Sequence, residues 1–181
     1  MKVYTQIPDN LPPTALTIGN FDGVHLGHQA LLKRLKERAS YTTVLTFTNH
    51  PLEILKPEAA PPLLTPLPPK LSLLEELGID AVIALSFTQE LASLPYDLFL
   101  QPFPLTHLIL GTGEAFGKNR EGTPENVLRL AAQRGFIAEY IDKILMDGEP
   151  ISSRHIRALI QAGDLKTASL LLGRQLKGVY V

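Results

Sequence analysis

Cysteine is absent from this chain of 181 residues, which excludes disulfides, a thiolate nucleophile and Cys-type zinc sites. Excess charge is also lacking: 17 Lys and Arg stand against 18 Asp and Glu, for a net charge of −1. No basic stretch runs longer than a few residues, so a nucleic-acid partner is not expected to be the main business. Nor does any apolar run approach the roughly 20 residues that a bilayer-spanning helix needs. Met1 to Asn10 carries Lys2 but no apolar stretch of the signal-peptide kind. Together these absences lead to the expectation of a soluble, cytoplasmic protein without a membrane partner. What is present is ample core material. Hydrophobic residues make up 45% of the chain, and its length suits a single domain able to bury a sizeable core.

The most informative stretch runs from Ile18 to Gln29, with His25-Leu26-Gly27-His28 at its centre. A short apolar run, Ala15 to Ile18, precedes it. A helical pattern with Leu31, Leu32 and Leu35 on one face follows it. A strand, a glycine-bearing turn and a helix is how open α/β sheets build nucleotide sites. The helix start aims free backbone N–H groups at the turn, and its dipole favours an anion there. Gly27 lacks a Cβ, so phosphate can approach the backbone, and two imidazoles supply donors beside it.

The rest of the chain alternates in the same manner. Short apolar runs at Thr43 to Phe47, Ala81 to Leu85 and His107 to Leu110 read as buried strands. Helical patterns fall near 28–39, 69–78, 95–101, 123–134, 153–161 and 164–172, with a further strand near 136–141. This predicts an α/β fold, a doubly wound and mainly parallel sheet covered on both faces. The interruption is Pro57 to Pro69, which holds six of the 15 prolines. It is expected to be neither helix nor central strand, serving as a surface connection or a stiff flap.

A second anion motif lies late in the chain, at Ile151-Ser152-Ser153-Arg154-His155-Ile156-Arg157. Ser152 or Ser153 can cap a helix through its hydroxyl. Arg157, four or five residues on, can reach the same helix mouth, where a guanidinium matches phosphate oxygens bidentately. Two such helix starts suggest a polyphosphate held between them.

These two motifs resemble the nucleotidylyltransferase superfamily, marked by His-x-Gly-His and a late Ser-Ser-Thr-x-x-Arg. The wording from Gly19 to Gln29 is similar to the FMN adenylyltransferase module of prokaryotic FAD synthetases. Further matches follow in order: Thr46 to Pro51 resembles Thr-Phe-x-Pro-His-Pro; Leu64-Thr65 with Lys70, then Leu73 to Asp80, resembles that family's next stretch. Gly111 to Arg120 resembles its Gly-x-Asp-x-x-Phe-Gly-x-x-Arg, and Leu171 to Arg174 the end of the module. The resemblance implies a Rossmann-like nucleotidylyltransferase fold over residues 1–181 and a reaction of ATP with FMN giving FAD and pyrophosphate. Mg²⁺ is implied as a companion of the ATP phosphates, with no metal-ligand set in the protein. By the same resemblance His25 and His28 stabilise the phosphate being transferred and the leaving pyrophosphate. Gly19, Asn20, Phe21, Asp22, Gly23 and Gly27 belong to the nucleotide turn, and Ser152, Ser153 and Arg157 hold the β- and γ-phosphates. Phe47, His50, Pro51, Phe116, Gly117, Lys118 and Arg120 belong to the flavin side, and Gly111 is a further cofactor-binding position.

The chain departs from that family at three places. Gly113 stands where Asp or Asn is usual. Arg154 and His155 stand where Thr and Arg are usual in the late motif. Asn49 replaces a proline. Relatives are commonly fused to a riboflavin kinase with a Pro-Thr-Ala-Asn motif; no such motif occurs here, and no kinase domain is expected. Two rivals remain open: a nucleotidylyltransferase for another phosphate acceptor, and a catalytically degraded flavin or adenylate binding module. A fragment of a class I aminoacyl-tRNA synthetase is more distant, because a Lys-Met-Ser-Lys-Ser-like loop is absent.

Overall fold

The computed structural model describes residues 1–176; the last five positions of the expected 1–181 domain lie outside the described residues. In chain order the elements are β1 (Lys2–Tyr4), β2 (Thr14–Ile18), α1 (Leu26–Arg38), β3 (Thr42–Phe47), α2 (Leu52–Leu55), α3 (Leu67–Glu76) and β4 (Ala81–Leu85). They continue with α4 (Gln89–Ala92), α5 (Tyr96–Leu100), β5 (Leu105–Gly111), α6 (Pro124–Arg134), β6 (Ile137–Ile141), a hairpin of β7 (Leu145–Met146) and β8 (Glu149–Pro150), α7 (Ser153–Gln161) and α8 (Leu165–Leu172).

Strands β1 to β6 form one sheet in the order β1-β4-β3-β2-β5-β6, and every pairing is parallel. Every residue of β2 and β3 is buried, which is why these segments read as unbroken apolar or threonine-rich runs rather than alternating ones. One face is covered by α5 and α6, whose Phe99, Leu100, Val127 and Leu130 pack with Leu16, Leu45 and Leu108. The other is covered by α1 and α3, whose Leu31, Leu32, Leu35 and Leu74 pack with Ala15, Val44 and Val82. Helices α7 and α8 bury Ile156, Ala168, Leu171 and Leu172 against Leu64 and Ile151 in a third cluster. The expected doubly wound α/β fold is therefore the one observed.

From β2 the chain winds outward through β3 to β4, then crosses back to β5 and β6 on the other side. The switch point lies between β2 and β5, and a crevice outside their carboxyl ends is where such sheets bind ligands. No helix among the described residues is long and apolar enough to cross a membrane.

One expectation needs correction. Pro57 to Pro69 was expected to contain no helix, yet Pro57–Ala59 forms a 3₁₀ turn, and Pro68 and Pro69 lie inside the first turn of α3. Those first positions have no intrahelical N–H bond to lose, and proline's fixed φ suits them.

Candidate active site

The turn after β2 is held in a costly conformation. Phe21 and Val24 have φ of 49° and 40°, and Gly23 has 87°. Left-handed backbone at a β-branched residue such as Val24 costs on the order of 1–3 kcal/mol and persists only where its surroundings over-determine it. Asp22 supplies that determination. Its carboxylate, 2% exposed, accepts N–H bonds from Leu64 at 3.1 Å and Thr65 at 2.9 Å. It is also ion-paired with the Arg157 guanidinium. Ser153 Oγ donates to the Asp22 carbonyl at 2.8 Å, and Arg157 Nε donates to the Pro62 carbonyl at 2.8 Å. One carboxylate thus ties the first turn, the proline-rich segment and the start of α7 together.

Lys70 anchors the same turn from beneath. It is 1% exposed, and its ammonium donates to the Asn20 carbonyl at 2.8 Å, the Phe47 carbonyl at 3.2 Å and Thr46 Oγ1 at 3.3 Å. Burial lowers its pKa to about 8, the nearby Asp22 charge acting in the opposite direction.

The turn delivers His25 as the N-cap of α1, where its Nδ1 accepts the His28 N–H at 3.3 Å. In a neutral ring that acceptor role leaves the proton on Nε2, so Nε2–H is the donor His25 offers. The two imidazoles stack with centroids 3.6 Å apart and planes 17° off parallel. Burial, followed by the Arg174 charge, lowers the His25 pKa to about 4. Burial, followed by the charges of His25 and Lys70, pushes His28 well below its ordinary value. With both values lowered, each ring is neutral at neutral pH and carries one N–H. His28 Nδ1 is buried without a partner among the described residues. Gly27 leaves room for the histidine: a Cβ there would lie 3.2 Å from the His25 ring, which would have to give by a few tenths of an ångström, and 3.5 Å from the Ile151 carbonyl.

At the start of α7, Ser152 is the N-cap, its Oγ accepting the His155 N–H at 3.2 Å. A cavity of about 260 Å³ lies between the two helix starts, lined by His25, His28, Gly111, Asp142, Ser152 and Ser153. A larger one, about 600 Å³, opens beside it over the carboxyl ends of β2 and β3. Its lining is aromatic: Phe47, Phe87, Phe99 and Phe116, with Asn20, Pro51 and Gly117, and Lys118 and Arg120 contribute charge. Gly113 and Glu114 line both cavities. A third cavity of about 520 Å³ at the amino ends of β2 and β5 includes one charged residue, Arg134, in its lining and no nucleophile.

The expected residues separate into three groups. His25, Gly27, His28, Gly111, Ser152 and Ser153 line the smaller cavity. Gly19, Asn20, Phe47, Pro51, Phe116, Gly117, Lys118 and Arg120 line the larger one. The remainder lines neither and supports the walls. Phe21 is 3% exposed, a Cβ on Gly23 would meet Leu64 and Leu172, and Asp22 and Arg157 are committed to each other. His50 belongs to that third group: its Nδ1 accepts the Leu52 N–H at 3.1 Å, and burial, then the Arg157 charge, lowers its pKa. Sequence reasoning gave Lys70 no role at the site, although it lies in a motif quoted for the resemblance. A lysine among leucines on α3 is the signal that could have found it.

The departures also take physical form. Gly113 has φ of 84°, a region open to Gly, Asn and Asp but costly for most others, so the family's usual residues share its backbone requirement. Glu114 folds back against Gly111, its carboxyl carbon 3.2 Å from where a Cβ would stand. Burial raises its pKa, opposed by a Gly111 backbone bond and the Lys143 charge.

Comparison with known proteins gives concordant matches. The profile of the family described as FAD synthetase matches residues 7–155. The bifunctional riboflavin kinase/FMN adenylyltransferase of Haemophilus influenzae is 36% identical over 169 residues, covering 88% of this chain and 55% of that protein. That of Bacillus subtilis is 30% identical over 187 residues, covering 97% of this chain and 58% of that protein. The chain therefore spans little more than half the length of the curated relatives it matches. Among solved structures, a protein described as a macrolide-efflux protein from Streptococcus pneumoniae superposes with a TM-score of 0.84 at 22% identity, covering 96% of this chain and 62% of the other. A pantoate-beta-alanine ligase from Francisella tularensis gives a TM-score of 0.61 at 15% identity, covering 100% and 89%. At those identities the two structures speak to the fold alone.

Proposed function

The chain belongs to the FAD synthetase family, and from that premise we propose that it transfers the adenylyl group of ATP to FMN, giving FAD and pyrophosphate. The observation that carries the reading is the meeting of two unlike cavities at Gly113 and Glu114. A cleft between two helix starts, with two histidines and two serines in its lining, suits a triphosphate, and an aromatic-walled cleft beside it suits a flat heteroaromatic ring. The junction is where the phosphate of one substrate would meet that of the other.

In the reaction an FMN phosphate oxygen attacks the α-phosphorus of ATP. The new P–O bond forms as the bond from the α-phosphorus to the bridging oxygen breaks, and pyrophosphate leaves with that oxygen. No enzyme nucleophile is needed; positioning and neutralisation of charge supply the rate. The acceptor must bring its own phosphate, so FMN rather than riboflavin is the substrate. His25 Nε2–H and the His28 ring donate to phosphate oxygens as charge builds. The N–H groups at the start of α7, with Ser152 and Ser153, hold the outgoing phosphates. Asp22 and Arg157 keep the two helix starts in register. This assigns Arg157 to support rather than to direct phosphate contact.

Mg²⁺ fits this site as a companion of the triphosphate. Among the described residues no group of three or more His, Asp or Glu side chains could hold a metal alone. Asp142 lines the smaller cleft, and a phosphate-bound Mg²⁺ needs only one or two carboxylates. When bound, it withdraws charge from the phosphate oxygens. The reading also places the protein in the cytoplasm, with no nucleic-acid or membrane partner required.

Incubating the purified chain with ATP, Mg²⁺ and FMN, and separately with pantetheine phosphate or nicotinamide mononucleotide as acceptors, tests the proposal. FAD formed only with FMN, alongside equal pyrophosphate, is expected. A product from another acceptor but none from FMN would overturn it. Glycine at position 113 supports one second reading, binding without turnover, because it brings no side chain of its own to the junction; FMN and ATP binding with no pyrophosphate release would favour it.

A further inference from the structure

Strands β3 and β4 stop pairing just below the larger cavity, where Thr48 N–H donates to the Leu85 carbonyl at 2.9 Å. Beyond that rung the side chain of Asn49 links the two segments. Its Oδ1 accepts the Phe87 N–H at 2.8 Å, and its Nδ2 donates to the Phe87 carbonyl at 3.1 Å. Both backbone groups of Phe87 are satisfied by one amide, and that double contact fixes which way the amide faces. The Phe87 ring then meets Phe47 edge-on, centroids 5.1 Å apart at 86°, and both rings line the 600 Å³ cavity. The residues that follow Phe87 reach α4, whose N-cap Thr88 accepts the Leu91 N–H at 3.2 Å, and Leu91 and Ala92 line the same cavity. Asn49 therefore ties the Phe87 side of the cavity to the end of β3. The proline found here in the resembling motif offers no side-chain donor or acceptor and could not make either bond.

We propose that Asn49 is a positioning residue for the aromatic ring of the acceptor: it holds Phe87 against Phe47 and so sets the wall on which a flavin ring packs. The flavin identity rests on the proposed FMN adenylyltransferase reading; the clamp itself rests on the contacts above. Asn49 acts through Phe87, so it governs capture of the ring and leaves the triphosphate cleft, built from α1 and α7, unaffected. A preformed wall saves the ordering that a loose loop would undergo on binding.

The test is titration of FMN by quenching of its own fluorescence, with ATP binding measured by calorimetry, on the full chain and on N49A, N49D, F87A and N49A/F87A. The loss of two neutral hydrogen bonds that order the wall is expected to weaken FMN binding about tenfold in N49A, with ATP binding unchanged. N49D, which keeps the acceptor and loses the donor, is expected between the two. In the F87A background N49A should add little, because the residue it positions is gone. FMN binding by N49A equal to the parent, or an undiminished N49A effect on top of F87A, would overturn the proposal. An equal loss of ATP binding would overturn it too, by making Asn49 a general structural residue. If N49A does not fold, N49D alone and combined with F87A makes the same comparison. Absence of FMN binding by the parent chain, with ATP bound, would instead overturn the choice of FMN and with it the ring named here.

Discussion

Replacing Asp22 with Asn probes the joint on which both helix starts depend. The substitution keeps the shape and removes the charge. Asp22 is 2% exposed and Arg157 13% at its side chain, so D22N leaves a guanidinium largely shielded from water with no counter-charge. It also turns an NH₂ group toward the N–H groups of Leu64 or Thr65, which now meet an oxygen at 3.1 and 2.9 Å. Breaking one side of a buried pair costs about 3–5 kcal/mol. With a urea m-value of about 2 kcal/mol/M for a domain of this size, the unfolding midpoint should fall by about 2 M. Urea unfolding followed by circular dichroism measures this directly. A cycle with R157Q and D22N/R157Q isolates the pair, and a coupling of at least about 1 kcal/mol is expected for residues in direct contact. A midpoint that moves by less than about 0.5 M, or additive single effects, would show that the turn holds itself and that Asp22 is not its brace.

Other outcomes follow from the same geometry. H28A should lower the rate of FAD formation by about 10²–10³, the usual cost of one lost transition-state donor, with the thermal midpoint little changed; a variant of normal rate would remove His28 from the chemistry. Because folding depresses the His25 pKa from its ordinary 6.5 to about 4, its neutral form contributes stability fully present above pH 6.5. That contribution is lost as pH falls toward about 4 and amounts to about 3 kcal/mol. Urea titrations across that window should show the loss in the parent and a shallower one in H25N, which keeps a capping side chain; equal slopes would contradict it. At Gly113, φ of 84° predicts that G113N folds normally while G113V loses about 1–2 kcal/mol, again read by urea; equal stabilities would show that the loop relaxes freely.

Much of the fold was legible because the central strands are short, continuous apolar runs and the helices carry their faces and caps in the sequence. The expected helix at 153–161 coincides with α7, since Ser152 marks its start and Ile156 its buried face. β1 was not legible: Lys2–Tyr4 is three residues, two of them exposed, and only pairing with β4 makes it a strand. The start of α3 departs from the expectation because proline excludes a helix only beyond its first turn, and Pro68 and Pro69 lie within it. At the site, the two helix starts could be seen because a cap and its helix are neighbours in sequence. The brace between them could not. Asp22 finds its partners 42, 43 and 135 residues away, and no local pattern announces such a contact. The pairing of Arg157 with Asp22 was hidden too, because spacing along one helix cannot reveal a buried carboxylate arriving from another element. Lys70 was hidden for the same reason: its three acceptors come from the ends of β2 and β3.

The central claim, adenylyl transfer at the meeting point of the two cavities, is tested most directly by following the α-phosphorus. The purified chain, given ATP labelled there together with Mg²⁺ and FMN, should move the label into FAD, one label per FAD, with one unlabelled pyrophosphate released for each. Label remaining in ATP under conditions where both substrates are bound, or appearing in AMP without FAD, would contradict the account.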